Sequence, residues 1–299
     1  MLKPYIRMIL VFLWRFCPSM PPALFQKFDR ANLRLRVISA LIMAPVALVA
    51  VWLGGLAFGA LTTCVVTVGL YEWLRLVGPG MHSRHYDRTM GIACAMLVAI
   101  MMAGTVFSPL VGATLGVVLT LVLFVIAANG GEDRANWIAL GLPYMGGSGL
   151  ALLSLRATPG SGAALTFYLL VTVWGTDIGA FAAGRLIGGP KLAPAISPSK
   201  TWAGLAGGMV LATILGYAAA RAFGAQHPAV AFALSPVLAV VAQLGDLFES
   251  HFKRRSGVKE SGDLIPGHGG ILDRIDGLVF AGTFAALFQA ALGAQVNWW

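Results

Sequence analysis

Charge is scarce in this chain: Asp, Glu, Lys and Arg make up 11% of 299 residues, against 58% apolar. A soluble domain could not cover its surface with so few polar groups, which excludes that class. Acidic residues are the rarest charges, 12 against 21 Lys and Arg. Cysteine is limited to Cys17, Cys64 and Cys94, an odd number with no CxxC pair. That excludes a cysteine-built metal site and leaves the two membrane-placed thiols as small apolar packers. No internal repeat, low-complexity tract or nucleic-acid-binding pattern is visible.

What is abundant is apolar length. The mean hydropathy is +0.80, and several runs approach the roughly 20 residues a helix needs to cross a bilayer. The runs predict spans near 37–54, 55–71, 89–107, 110–128, 137–155, 163–183, 202–224, 229–249 and 277–296. Gly54-Gly55 marks a tight hairpin between the first two. The 137–155 span is interrupted by Pro143 and Gly146-Gly147. The expected fold is an all-α, polytopic integral membrane bundle of about nine helices, and 37 glycines suit close helix packing.

Basic residues orient it. With a cytoplasmic N-terminus, the inner segments hold seven, three, one, three and five of the 21 Lys and Arg, leaving Arg156 and Arg221 outside. Positive charge stays in the cytoplasm, so this division supports both count and orientation. The net charge of +9 reads as topology and attraction to anionic lipid, not nucleic acid. Residues 1–36 form a basic segment. In it Lys3, Arg7 and Arg15 share a helical arc opposite Tyr5, Ile6, Ile9, Leu13 and Phe16, as in an interfacial anchor. Arg7 and Arg15 leave too short an uncharged run for a signal peptide. Residues 37–160 are expected to form N-terminal transmembrane helices, and 161–299 a catalytic transmembrane region.

Three charged clusters fall on the cytoplasmic side. Asp177 lies inside an apolar span with Arg185 near its end, and intramembrane ionisable groups are costly and usually functional. The second cluster is the 190–208 stretch, where Pro194 and Pro198 keep the loop out of a helix. There Ser197, Ser199, Thr201 and Lys200 precede a helix start. The group is either a phosphate site using helix N–H groups or a capped helix with a snorkelling lysine.

The third cluster, residues 245–277, holds six of the twelve acidic residues. Asp246 and Glu249 end one span; Asp273 and Asp276 open the next. Carboxylates converging from two helices repel unless a cation lies between them. Mg²⁺, which shares its shell with substrate phosphates, suits that place. Lys253, Arg254, Arg255, Lys259 and Arg274 supply counter-charge for phosphates. Gly269 and Gly270, after Pro266, Gly267 and His268, let backbone approach a ligand.

Ser250-His251-Phe252-Lys253-Arg254, Lys259, Gly262, Ile265-Pro266 and the run from His268 to Asp276 resemble the signature of phosphatidate cytidylyltransferases. Glu260 departs from it, standing where the signature has Asp. The resemblance extends upstream through the Gly245-Asp246-Leu247 turn, the 197–202 segment and the Asp177 helix, and covers about residues 170–280. It implies transfer of CMP from CTP to phosphatidic acid, giving CDP-diacylglycerol and pyrophosphate for phospholipid synthesis. It further implies Asp246 and Asp273 as ligands of Mg²⁺, with Asp276 and Asp177 next and room for a second cation. Lys200, Lys253, Arg254 and Arg274 would contact phosphate, and His268 would donate to a phosphate oxygen or orient an aspartate. The resemblance implies a homodimer, and length and plainness suggest a bacterial inner-membrane enzyme whose site faces the cytoplasm.

Two other readings stand beside it. The CDP-alcohol phosphotransferase pattern fails, because Asp276-Gly277 is followed by Leu-Val-Phe-Ala. A transporter would place ionisable groups near the midplane of several spans, whereas Asp177 is the single deep one on this map.

Overall fold

The computed structural model describes residues 30–78, 83–132, 134–262, 264, 269–293 and 298–299, with side chains from residue 41 onward. The amphipathic arc of residues 1–29, the side chains of Arg30, Arg34 and Arg36, and His268 lie outside the described residues. Among the described residues nine helices match the nine apolar runs in order: α1 (Arg30–Leu53), α2 (Gly55–Val77), α3 (Arg84–Val106), α4 (Pro109–Asn129), α5 (Ala135–Arg156), α6 (Gly162–Leu186), α7 (Trp202–Ala222), α8 (Pro228–Arg255) and α9 (Leu272–Leu292). Among the described residues, the eight from α2 to α9 are long and apolar enough to cross a membrane, and α1 is apolar over its described side chains, Leu41–Leu53. The chain is an all-α polytopic membrane protein.

Local chemistry explains the boundaries. Gly54 and Gly55 take φ of 65° and 49°, a left-handed turn that side chains resist, so α1 reverses at once into α2. Arg156 closes that end: its Nε donates to the Val51 carbonyl at 2.6 Å, where α1 leaves acceptors free. Ser83 and Ser108 cap α3 and α4 by accepting from Tyr86 N and Val111 N. In α5 the interruption at Pro143 and Gly146-Gly147 does not break the helix. Leu142–Gly147 widens into a π-helical turn, which absorbs the proline's missing N–H inside the most buried span.

Two differences from expectation concern the charged end. Helices α2, α8 and α9 run past the apolar limits, so Glu72, Lys253–Arg255 and Asp273 are helical. Basic residues in the last turn of α8 favour this through the helix dipole. Between α6 and α7 the chain forms an antiparallel hairpin, β1 (Lys191–Ala193) and β2 (Ser197–Thr201), pairing Lys191 with Thr201 and Ala193 with Ser197.

Packing holds the two halves of the bundle differently. An aromatic cluster joins α2, α5, α8 and α9: Trp73 meets Phe252 at 4.7 Å and Tyr144 at 4.9 Å between ring centroids, and Tyr144 meets Phe280 at 6.3 Å. Helices α6 and α7 instead touch backbone to backbone. A Cβ on Gly179 would strike the Gly207 carbonyl, and one on Gly207 would strike Ala183. Glycine is required there by space. Gly179→Val should therefore lower the melting temperature in detergent, by about 1–3 kcal/mol of stability. Gly91→Ala, with nothing near its added methyl, should melt with the wild type, and equal losses from both would refute this packing.

Candidate active site

Helix α8 brings the charges together by its period. Asp246, Ser250 and Lys253 share a side with Glu249, while Phe248 and Phe252 point into the aromatic cluster. The i, i+3 pair Asp246 and Glu249 nevertheless serves different partners.

Asp246 meets the hairpin. Lys200 Nζ lies 2.5 Å from Asp246 Oδ2 and donates to Gln243 Oε1 at 2.6 Å, while Ser250 Oγ donates to Asp246 Oδ1 at 3.2 Å. Lys200 thus turns inward onto a carboxylate and does not snorkel. Thr201 takes the capping role, its Oγ1 accepting from Gly204 N at 3.0 Å. Arg254 Nε donates to the Ile196 carbonyl at 3.2 Å, fastening the same hairpin to α8. Of the expected alternative of a capped helix with a snorkelling lysine, the cap is present, while the lysine turns into the charged centre.

Glu249 is fully buried and ion-paired to Lys253 at 3.1 Å; Lys253 also donates to Asp273 Oδ1 at 2.7 Å. The other Asp273 oxygen accepts from Ser261 N and Gly270 N, both at 2.9 Å. The Glu249 and Asp276 carboxyls lie close enough to act on each other, and two such groups repel unless a proton or a cation lies between them. Asp276 also accepts from Gly277 N at 2.8 Å. Gly245 permits this approach of α8 to α9, since a Cβ there would strike the Asp276 carbonyl.

Asp177 is exposed although it sits deep in α6. A bare carboxylate facing lipid would be costly, and Asp246, Lys200 and Arg274 are all close enough to act on it. These four line one open, charged vestibule among α6, the hairpin, α8 and α9. Lys259 and Ser199 are exposed, Ser197 is buried in β2, and Gly269 turns at φ of 80° beside Asp273.

Among the described residues no three of His, Cys, Asp and Glu form a ready cage for a metal ion. The donor set fits a hard cation that takes one or two carboxylates and completes its shell with water and phosphate. Three polar residues in the network carry no motif in the sequence: Gln243, Ser261 and Glu72. Glu72, only 4% exposed, accepts from Leu272 N at 2.7 Å, Ile271 N at 3.1 Å and Ser261 Oγ at 3.1 Å. Its one visible signal was an acid inside the apolar run Gly-Leu-Tyr-Glu-Trp-Leu.

A family model described as the cytidylyltransferase family matches residues 34–292. The chain belongs to the cytidylyltransferase family. Among similar proteins are the phosphatidate cytidylyltransferases of Brucella suis, 36% identical over 87% of this chain and 94% of the relative, and of Pseudomonas aeruginosa, 36% over 87% and 98%. That of Bacillus subtilis is 33% identical over 85% of this chain and 96% of its own. The cytidylyltransferase match spans the N-terminal helices as well as the motif-bearing half.

The burial of Lys253 between two carboxylates sets a test. Lys253→Met should cost about 3–5 kcal/mol, because it strands buried negative charge. Glu249→Gln in the same chain should recover part of that loss. Lys200→Met, whose partner Asp246 is 32% exposed, should cost less. Thermal melts in detergent measure all three, and Lys253→Met melting with the wild type would refute the pairing.

Proposed function

We propose that the chain transfers the CMP unit of CTP to phosphatidic acid, forming CDP-diacylglycerol and pyrophosphate. The observation that carries this reading is the vestibule, where Lys200 and Arg274 stand among carboxylates at the end of a membrane bundle, with Lys253 buried beside them between Glu249 and Asp273. Two polyanions must meet there, and their charge must be neutralised before an anionic phosphate can approach the α-phosphorus of CTP. The phosphatidate oxygen forms the new bond to that phosphorus as the bond to pyrophosphate breaks. No protein base is needed, because the attacking phosphate is already ionised near neutrality. The work of the chain is positioning and charge stabilisation.

Each residue has a part in this. Arg274, exposed at the opening of α9, and Lys200 at the hairpin hold phosphate oxygens of the nucleotide. Arg254, exposed in the last turn of α8, and Lys259, exposed just beyond it, attract the anionic lipid headgroup. Asp246 and Asp276 would hold a divalent cation, with Asp177 across the vestibule for a second. Such a cation supplies electrostatic stabilisation to the charge that develops at the transferred phosphorus. Asp273 has both oxygens engaged by Lys253 and two N–H groups, and its first task is to hold α9's entrance in place. We place the site on the cytoplasmic face of a bacterial inner membrane, following the positive-inside rule, and assign the working form as a homodimer.

Radiolabelled CTP incubated with phosphatidate and Mg²⁺ should yield labelled CDP-diacylglycerol. Failure to do so with folded protein refutes the activity, and labelled phosphatidate transported without product would favour the transporter. Asp246→Asn and Asp276→Asn should lower kcat by at least about 100-fold and raise the half-saturating Mg²⁺. Asp273→Asn should instead lower the melting temperature, and an equal Mg²⁺ shift in all three variants would make Asp273 a ligand. Lys200→Met should weaken CTP or phosphatidate handling sharply and Lys200→Arg restore it in part, since a planar fork does not replace a compact ammonium. Unchanged constants for both substrates would leave Lys200 a structural tie. Cysteine labelling of the 256–260 loop from the cytoplasm and of Trp299→Cys from the opposite side checks the orientation; both from one side would overturn it.

A further inference from the structure

We propose that Glu72 is a positioning residue for the reaction assigned above: from α2 it sets the entrance of α9 and, through it, Asp273 and Asp276. The inference rests on that reaction for its kinetic arm alone.

A helix begins with N–H groups that have no acceptor of its own. At the start of α9 the N–H of Gly270 goes to Asp273 at 2.9 Å, and those of Ile271 and Leu272 go to Glu72 at 3.1 and 2.7 Å. Ser261 joins the two carboxylates, its N–H donating to Asp273 at 2.9 Å and its hydroxyl to Glu72 at 3.1 Å. Moving Glu72 therefore moves the loop that holds Asp273. Four residues along α2, the Leu76 carbonyl accepts from Ser256 Oγ at 2.6 Å, so one helix end grips the loop both where it leaves α8 and where it enters α9.

Two glycines record the fit. A Cβ on Gly262 would have Glu72 atoms as its three nearest neighbours, Oε1 at 2.8 Å first, and one on Gly270 would meet Ser261 Oγ and Glu72. Neither glycine has a positive φ, so what each supplies is room for the carboxylate, not backbone freedom. Glu72 also occupies N–H groups that a phosphate would otherwise use. The nucleotide must then be met by side chains of the vestibule and not by the α9 N-terminus.

The test joins amide exchange with kinetics. Glu72→Gln should speed exchange at Ile271 and Leu272 by at least about tenfold while α8 and α6 stay protected. It should lower kcat about tenfold and raise the half-saturating Mg²⁺, because Asp276 lies one turn into the helix that Glu72 anchors, and leave the KM for phosphatidate unchanged. Gly262→Ala, which disturbs the same contact more gently, should act alike. The double variant should be no worse than the poorer single, because both substitutions act at one place. Multiplying losses, or local exchange unchanged by Glu72→Gln, would overturn the proposal. So would exchange raised evenly across all helices, with kcat falling only as folded protein is lost. Exchange needs no turnover, so it decides on Glu72 even in a protein that consumes no CTP.

Discussion

An acid with no access to water must keep its proton or find a counter-charge, and Glu249, fully buried, imposes that need on everything around it. Lys253 meets it from one turn further along α8 and shares its ammonium with Asp273 of α9. The ion pair therefore fixes two helices relative to each other. Breaking such a group costs far more than its formation gains, which makes the arrangement a constraint more than a source of stability. The distance between α8 and α9 follows from it, and Gly245 is the residue that lets the backbones come that close.

The same logic extends outward in steps of decreasing burial. Lys200 and Asp246 form a second pair, partly open, that ties the hairpin to α8. Asp177 stands at the far side, exposed to the vestibule and within reach of the same charges. Charge is thus most tightly paired where the helices must be held, and least paired where a ligand must enter. A hard cation and two phosphorylated substrates would complete the balance at the open end.

Much of this was legible in the sequence, for identifiable reasons. Apolar runs located the nine helices of the described residues because span length is set by the bilayer and not by partners. Gly54-Gly55 announced its turn because only glycine takes those angles cheaply. The 245–277 window was conspicuous since charge is rare elsewhere. The hairpin at 191–201 was read only as a non-helical loop, because strands this short carry no alternating pattern of their own. Lys200 admitted two readings; the structure shows the capped helix of one of them, with the lysine paired to Asp246 and not snorkelling. Glu72 went unread: its meaning depends on Ser261, Ile271 and Leu272, nearly 200 residues away, and no local pattern reports a contact of that separation.

Helix α8 shows how a single segment can serve both packing and chemistry. Four-residue spacing puts Phe248 and Phe252 on one line and Glu249 and Lys253 on the adjacent one. The aromatic line packs against Trp73, Tyr144 and Phe280, which excludes water from behind the charged line. Without that wall, solvent would screen the Glu249–Lys253–Asp273 interactions and loosen the geometry they impose. Trp73 lies beside Glu72 on α2, so the helix that dries the charged centre also carries the carboxylate that holds α9's entrance. The N-terminal helices carry little recognisable motif, yet the site depends on them for its dryness and for one of its anchors.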